Sequence, residues 1–456
     1  MAETKKTPYA AAGTVTPADV HATLARHMLA DGFDIVVDIG ASKGSYLYDA
    51  RRGKRYLDFF TFFSSGSVGF NHPKLVEPSF LKELTASAIH KPSNSDVYTV
   101  QMAEFVKTFG EIVMPSYLPH AFFIDGGALA VENGLKAAFD WKVKKNFRKG
   151  SSSEKGHQVI HFRQAFHGRS GYTLSLTNTD PTKTNFFPKF SWPRIHNPVV
   201  HFPLTDESLE QVKKEEVLAL SQITQAIKEN PDDIAVLIIE AIQAEGGDHH
   251  FRKEFLVELR RICDENEILF MIDEVQTGIA ITGKMWAHEY FVKPDLMSFG
   301  KKTQVCGVLA GARIDEIEDN VFRIPSRINS TFGGNLVDMV RFRRIMEIIR
   351  DEALVANCAT VGSHMLTRLE ELQNDFPDLV SNARGRGLFC AIDLEDGDRR
   401  DRLRKLAFER GLILIGCGVR SIRFRPPITI SPEEVDEGMA IIRNSLESMA
   451  TRRAAS

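Results

Sequence analysis

Apolar residues fall in short runs along this chain, and each run stops at a polar or glycine-rich turn. Residues 234–239, 268–272 and 296–299 are the clearest cases. They are too short for helices and lack the alternation of a half-solvated strand, so they predict strands buried on both faces. Two more runs, 121–124 and 159–162, have the same character. Segments with helical spacing lie between and after them, at 129–143, 204–230 and 255–266. Strand and helix alternate from about residue 120 to 300, which predicts an α/β fold: a mostly parallel sheet with helices on both faces.

The pattern changes on either side. Residues 1–20 read as a loose arm, and Thr16-Pro17 predicts a helix capped by Thr16 and running to about Asp31. Short strands at 35–37 and 45–48 form a meander turned at Lys43-Gly44 and Arg52-Gly53. Residues 61–71, TFFSSGSVGFN, are too polar for a core strand and too aromatic for a linker, and predict a loop lining a pocket. Beyond 335, helices at 339–353, 355–374, 398–410 and from Pro432 alternate with a strand at 388–394 and the segment 421–427. That predicts a separate α+β unit, with Ser431-Pro432-Glu433-Glu434 as a strong helix start. The expected division is 1–75 (arm and part of a small domain), 76–345 (large domain) and 346–456 (C-terminal small domain).

Composition narrows the class. The chain has 456 residues, 43% of them apolar and 26% charged, the usual make-up of a soluble globular protein. A net charge of −3 supplies no basic field for nucleic acid or an anionic membrane. The five cysteines (Cys263, Cys306, Cys358, Cys390, Cys417) include no CxxC pair, which argues against a zinc site or disulfide framework and suits a reducing cytoplasm. The first twenty residues have no apolar core after their lysines, unlike a secretory signal. No apolar run approaches the length of a membrane span.

Candidate chemistry gathers where the strands end. Open α/β sheets bind ligands beyond the carboxyl ends of their strands. The run 268–272 ends in Asp273, with Glu274 and Gln276 close behind; the run 296–299 ends in Gly300-Lys301-Lys302. A lysine able to form a Schiff base, beside an acid that keeps a pyridine nitrogen protonated, is the pyridoxal phosphate arrangement. The blander alternative makes Asp273 a loop cap and Lys301 a solvated charge. Gly126-Gly127-Ala128, between a strand and a helix, would offer backbone N–H groups to a phosphate, or is a plain tight turn. Phe166-His167-Gly168-Arg169 could stack on a ring and pair a carboxylate, or comprise a structural histidine and a surface arginine. Glu240 and Glu245 follow the run 234–239, and 329–335 is a polar, glycine-rich loop.

Taken together, these pieces resemble the class III (ω-amino acid) aminotransferases of the fold-type I pyridoxal phosphate enzymes. The matching motifs are GGALAVENGLKAA (126–138), FHGRSGYTLSLT (166–177), EAIQAEGG (240–247), IDEVQTG (272–278), PDLMSFGK (294–301), STFGGN (330–335), RGRGL (384–388) and IRFRPP (422–427). Several segments, among them KPSNSDVYTV (91–100), FPKFSWPRI (187–195) and FGKKTQVCG (299–307), look like the versions found in members that act on the ε-amine of lysine.

The resemblance implies a large domain with a seven-stranded, mostly parallel sheet, a smaller α+β domain, and a homodimer with shared active sites. It implies pyridoxal 5'-phosphate held by Lys301 as Schiff-base lysine, Asp273 at the pyridinium, and Val275 and Phe166 on the two ring faces beside His167. Gln276 would reach the ring hydroxyl. Gly127 and Ala128 would hold the phosphate, with Thr331 added from the neighbouring subunit. Arg169 would bind a distal carboxylate and Arg423 the acceptor's α-carboxylate. Glu245 would pair with Arg423 when an amine donor is bound and leave it for the acceptor, with Glu240 and Asn329 in support. The implied substrates are L-lysine and 2-oxoglutarate; ornithine or 4-aminobutyrate would be the donor in the alternative. The chain departs from the common family pattern at Gly126, Ala241, Ala244 and Ile279-Ala280-Ile281.

Overall fold

The computed structural model describes residues 15–453. The arm expected at 1–20 lies mostly outside them. The first helix, α1 (Val20–Leu24), is one turn rather than the stretch to Asp31 expected from Thr16. None of its residues is buried, and a short helix with no packed face is marginal in water. The hairpin β1 (Tyr46–Asp49) and β2 (Lys54–Asp58) turns at Gly53, as the meander reading expects. Only an isolated bridge, Val37 to Asp49, stands for the strand expected at 35–37. A single turn, α2 (Thr61–Ser64), follows with every φ between +40° and +74°, so it winds left-handed.

Helices α3 (Pro78–Ile89) and α4 (Val100–Ile112) lead into β3 (His120–Ile124) and the long α5 (Gly127–Arg148). Next come β4 (Gln158–Phe162), α6 (Gly171–Leu176), β5 (Arg194–Ile195), α7 (Asp206–Glu229), β6 (Ile234–Glu240), α8 (Lys253–Glu265), β7 (Leu269–Asp273), β8 (Leu296–Phe299) and β9 (Cys306–Ala310). These seven strands form one sheet in the order β3-β9-β8-β7-β6-β4-β5. All neighbours are parallel except β9, which runs against both β3 and β8. Every residue of β6, β7 and β8 is buried, which is why those strands read as unbroken apolar runs. Two apolar clusters cover the two faces. One packs α7 and α8 on the sheet through Ile223, Leu256 and Leu259; the other packs α5 through Leu135 and Trp141.

The C-terminal part carries α9 (Leu336–Asp351), α10 (Leu354–Asp375), β10 (Ser381–Arg386), β11 (Phe389–Asp393), α11 (Gly397–Glu409), β12 (Leu412–Ile413), β13 (Ile415–Cys417), β14 (Ser421–Phe424) and α12 (Pro432–Arg453). An antiparallel sheet, β10-β11-β14-β13, packs under these helices. Strand β12 instead pairs with β2, so the chain's two ends share a three-stranded sheet. The start of α12 is a capping box. Ser431 Oγ accepts from the Glu434 N–H at 3.3 Å, and Glu434 Oε2 accepts from the Ser431 N–H at 3.0 Å.

Candidate active site

Sheet register builds the centre of the site. Pairing of β6, β7 and β8 sets Glu240 opposite Asp273 and Asp273 opposite Ser298, so three polar side chains stand in a row at the carboxyl ends. Asp273 Oδ1 accepts from Ser298 Oγ and from the Val275 N–H, each at 3.0 Å. Asp273 Oδ2 lies 2.8 Å from His167 Nδ1, which donates because a carboxylate only accepts. His167 Nε2 is buried without a partner.

Glu240 ties two segments to the end of β6. Its Oε1 accepts from the Phe166 N–H at 3.0 Å and its Oε2 from the Ala244 N–H at 3.1 Å. Burial pushes its carboxyl up to about 7, opposed by His167 and reinforced by Asp273.

Lys301 follows directly from β8. Gly300 precedes it because a Cβ there would come within 2.9 Å of Cys306 Sγ. Lys301 itself has φ +53°, a left-handed conformation uncommon for lysine and of the kind that collects at functional sites. Burial holds its amine below the usual lysine range, with Asp273 pulling the other way. The neighbouring Lys302 turns away from the cavity: its Nζ donates to Ser64 Oγ at 3.0 Å and to the Gln276 carbonyl at 2.8 Å. Lys301, not Lys302, stands on the cavity wall.

That cavity holds about 580 Å³ and brings together Gly127, Ala128, Phe166, His167, Asp273, Val275, Gln276 and Lys301. Helix α5 points its N-terminus at it. The first turn has no side-chain cap, and Gly126, with φ +100°, breaks the chain direction just before it. First-turn N–H groups without a cap suit a phosphate. A ring bearing a hydroxyl also fits, since Gln276 Oε1 is buried on the wall without a partner. These features match the donor set that pyridoxal phosphate needs. Among the described residues there is no group of His, Cys, Asp and Glu that could hold a metal ion.

Arg423, on β14, is 1% exposed. Its Nη2 donates to Glu245 Oε2 at 2.6 Å, while its Nε and Nη1 are buried without partners. Burial raises the Glu245 carboxyl, but Arg423 and Lys183 outweigh it and leave Glu245 below the usual range. Phe63, from the left-handed turn, lies with its ring centroid 5.7 Å from the Arg423 guanidinium carbon. The loop 61–71 therefore reaches the site, through Ser65 on the inner cavity and Phe63 beside Arg423.

Glu245 and Arg423 pair with each other without lining this cavity, and three more candidates from the sequence stay apart from it within the chain. Arg169 is exposed, and Thr331 and Asn329 are exposed on the loop before α9. Asn329 lines a different hollow with Ser95 and Tyr98. Sequence reading passed over Ser298, Gln304, Cys306 and Lys183 as site residues, and reached Ser65 only as part of the pocket-lining loop 61–71. Ser298 had a signal, as the one polar position in a fully buried strand; Lys183 had none.

Comparison with known proteins gives the family. Residues 29–446 match the family model of the class-III aminotransferases. The chain is 51% identical over 448 residues to the L-lysine-epsilon aminotransferase of Mycobacterium tuberculosis, covering 98% of this chain and 99% of that one. It is 49% identical over 433 residues to the enzyme of the same name from Amycolatopsis lactamdurans, covering 94% and 96%. The solved structure of lysine aminotransferase from M. tuberculosis in the internal aldimine form superposes with a TM-score of 0.93 at 51% identity, covering 95% of this chain and 100% of that one. The chain belongs to the class III aminotransferase family, and its cofactor is pyridoxal phosphate.

Proposed function

We propose that this chain is an L-lysine 6-transaminase. It would move the ε-amine of lysine to 2-oxoglutarate, releasing glutamate and 2-aminoadipate 6-semialdehyde, which cyclises to a piperideine carboxylate. The observation that carries the reading is Arg423: a buried guanidinium paired to Glu245 on one side, with two unpartnered donors. Such a fork takes a carboxylate bidentately. When Glu245 covers it, the same pocket accepts the uncharged chain of an amine donor without leaving a bare buried cation. The two lysine aminotransferases, similar over nearly the whole chain, support lysine as that donor.

Bound pyridoxal phosphate supplies the electron sink for the reacting carbon. The chain's own residues do the rest. Asp273, fixed by Ser298, Val275 and His167, would hold the proton on the ring nitrogen. Lys301 Nζ, its basicity lowered by burial, accepts the substrate proton and returns it to the adjoining position. Phe166 and Val275 would wall the ring, Gln276 would meet its hydroxyl, and the Gly127 and Ala128 N–H groups would take the phosphate. Arg169 would bind the carboxylate at the far end of lysine. Thr331 and Asn329, exposed and remote from their own cavity, suit a homodimer in which each copy completes the other's site. Five free, buried cysteines suit the cytoplasm. No helix among the described residues is long and apolar enough to cross a membrane.

The test is an absorbance titration of the cofactor-loaded protein. L-Lysine should remove the long-wavelength cofactor band and 2-oxoglutarate should restore it. Lys301→Ala should fold normally and lose turnover. The same cycle with ornithine or 4-aminobutyrate, but not lysine, would move the activity to that donor. Absence of any band after adding pyridoxal phosphate would overturn the Lys301–Asp273 site.

A further inference from the structure

Glu245 touches two cations. Its Oε2 accepts from Arg423 Nη2 at 2.6 Å, and its Oε1 accepts from Lys183 Nζ at 2.7 Å. The two are not equivalent. The Arg423 side chain is 1% exposed, whereas that of Lys183 is 24% exposed. Lys183 and Glu245 both line a second, outer cavity of about 470 Å³ that also takes in Phe63 and Arg400; neither lines the inner cavity of Lys301. Glu245 therefore stands at the boundary between the buried arginine and an outer vestibule.

The backbone around Glu245 is tied down on several sides. Its carbonyl accepts from the Gly418 N–H at 2.9 Å. A Cβ on Gly246 would lie 2.1 Å from the Gln164 carbonyl oxygen, so that residue is pressed against its neighbour. The next two residues are clamped: Arg384 donates to the carbonyls of Gly247 and Asp248, and Arg425 forks onto the Asp248 carboxylate at 2.6 and 2.8 Å. These ties favour a side-chain rotation for any exchange at Arg423, with a destination within side-chain reach. Among the described residues, Lys183 is the one cation bonded to Glu245 besides Arg423.

We propose that Lys183 is a positioning residue that keeps the Glu245 carboxylate when a keto-acid carboxylate takes Arg423. The proposal rests on the reading of Glu245 and Arg423 given above and goes beyond it. Displaced with no second cation, Glu245 would be a half-buried charge without a partner. With Lys183 in place, only the Oε2 contact is given up while the Oε1 ion pair persists. Lys183 thereby lowers the cost of admitting the dicarboxylate and leaves the amine-donor complex, in which Glu245 holds both cations, nearly untouched. The anchoring is local: Asp180 Oδ1 accepts from the Thr182 N–H at 2.9 Å and fixes the one-turn segment that ends at Lys183.

The test uses the cofactor-loaded enzyme and follows each half-reaction separately by rapid-mixing absorbance, with the donor identified by the titration above. Lys183→Met should raise the KM for 2-oxoglutarate about tenfold at nearly constant kcat and change the donor KM less than about twofold. Lys183→Arg should restore most of the keto-acid affinity. Equal loss in both half-reactions, or no change in either, would overturn the proposal. Glu245→Gln separates the two levels. An unchanged ratio of keto-acid to donor KM in that variant removes the site reading and the proposal with it. A changed ratio there, with Lys183→Met silent, removes the role of Lys183 alone.

Discussion

Glu240 has the most informative proton in the site. Its carboxyl is pushed up to about 7 from an ordinary 4.5, chiefly by burial. A group with a raised folded value keeps its proton in the folded state while the unfolded chain loses it. Stability from this group is complete below pH 4.5, falls as pH rises toward about 7, and is gone above. Glu240→Gln cannot ionise. The melting temperature of this variant relative to the parent should therefore rise steadily from pH 4.5 to about 7 and level off beyond, as thermal unfolding across that range would record. A flat difference would mean that Glu240 is ionised in the folded protein throughout. At this scale the sequence was legible where a residue type is chemically unusual for its setting, such as Asp273 and Lys301 at the ends of buried strands. It was illegible for Lys183 and Gln304, polar residues in polar surroundings whose neighbours come from distant segments.

At the scale of elements, the junction between the loop after β4 and the start of α5 sets the phosphate site. Gly168 has φ +125°, and a Cβ there would lie 2.5 Å from the Ala128 Cβ. Gly168→Ala must displace the first turn of α5. It should weaken pyridoxal phosphate binding at least tenfold and destabilise the fold by about 1–3 kcal/mol, readable by cofactor titration and by melting. Unchanged cofactor affinity would mean that the helix start does not govern the site. Most elements were legible because one period dominates each: β6, β7 and β8 as apolar runs, α8 as an amphipathic helix. Strand β10, Ser-Asn-Ala-Arg-Gly-Arg, has no such signal, because Arg384 finds its partners at Gly247, Asp248, Asp393 and Ser421 while Arg386 lies over the Tyr290 and Phe291 rings with its Nε unpartnered. Strand β9 follows Lys301 so closely that the run reads as the tail of the motif. Ile279 and Ala280 have φ values of +60° and +65°, which put non-glycine residues in the left-handed region.

Across the whole molecule, the site depends on joining the C-terminal antiparallel sheet to the loop after β6. Arg425 and Asp248, both fully buried, form that joint. Removing one partner strands the other charge, which costs about 3–5 kcal/mol, whereas replacing both by apolar groups is often neutral. Asp248→Asn should thus lower stability strongly and raise the KM for both substrates, since the Glu245 loop loses its clamp. The double change Asp248→Leu with Arg425→Met should recover much of the stability in denaturant unfolding. No loss in the single variant would show that the joint is carried by Arg384 and its partners instead.

The sequence by itself determined the class of fold, the order of the strands that end in chemistry, and the pairing of an acid with a lysine. Those follow from local rules: buried strands need apolar runs, and polar residues at their ends stand out. Tertiary structure alone decided which groups meet. Sheet register aligned Glu240, Asp273 and Ser298, a left-handed turn brought Phe63 to Arg423, and a hydrogen-bonded loop placed Glu245 between two cations from segments 240 residues apart. Contacts between segments so far separated are set by packing and backbone closure, which leave no period in the chain.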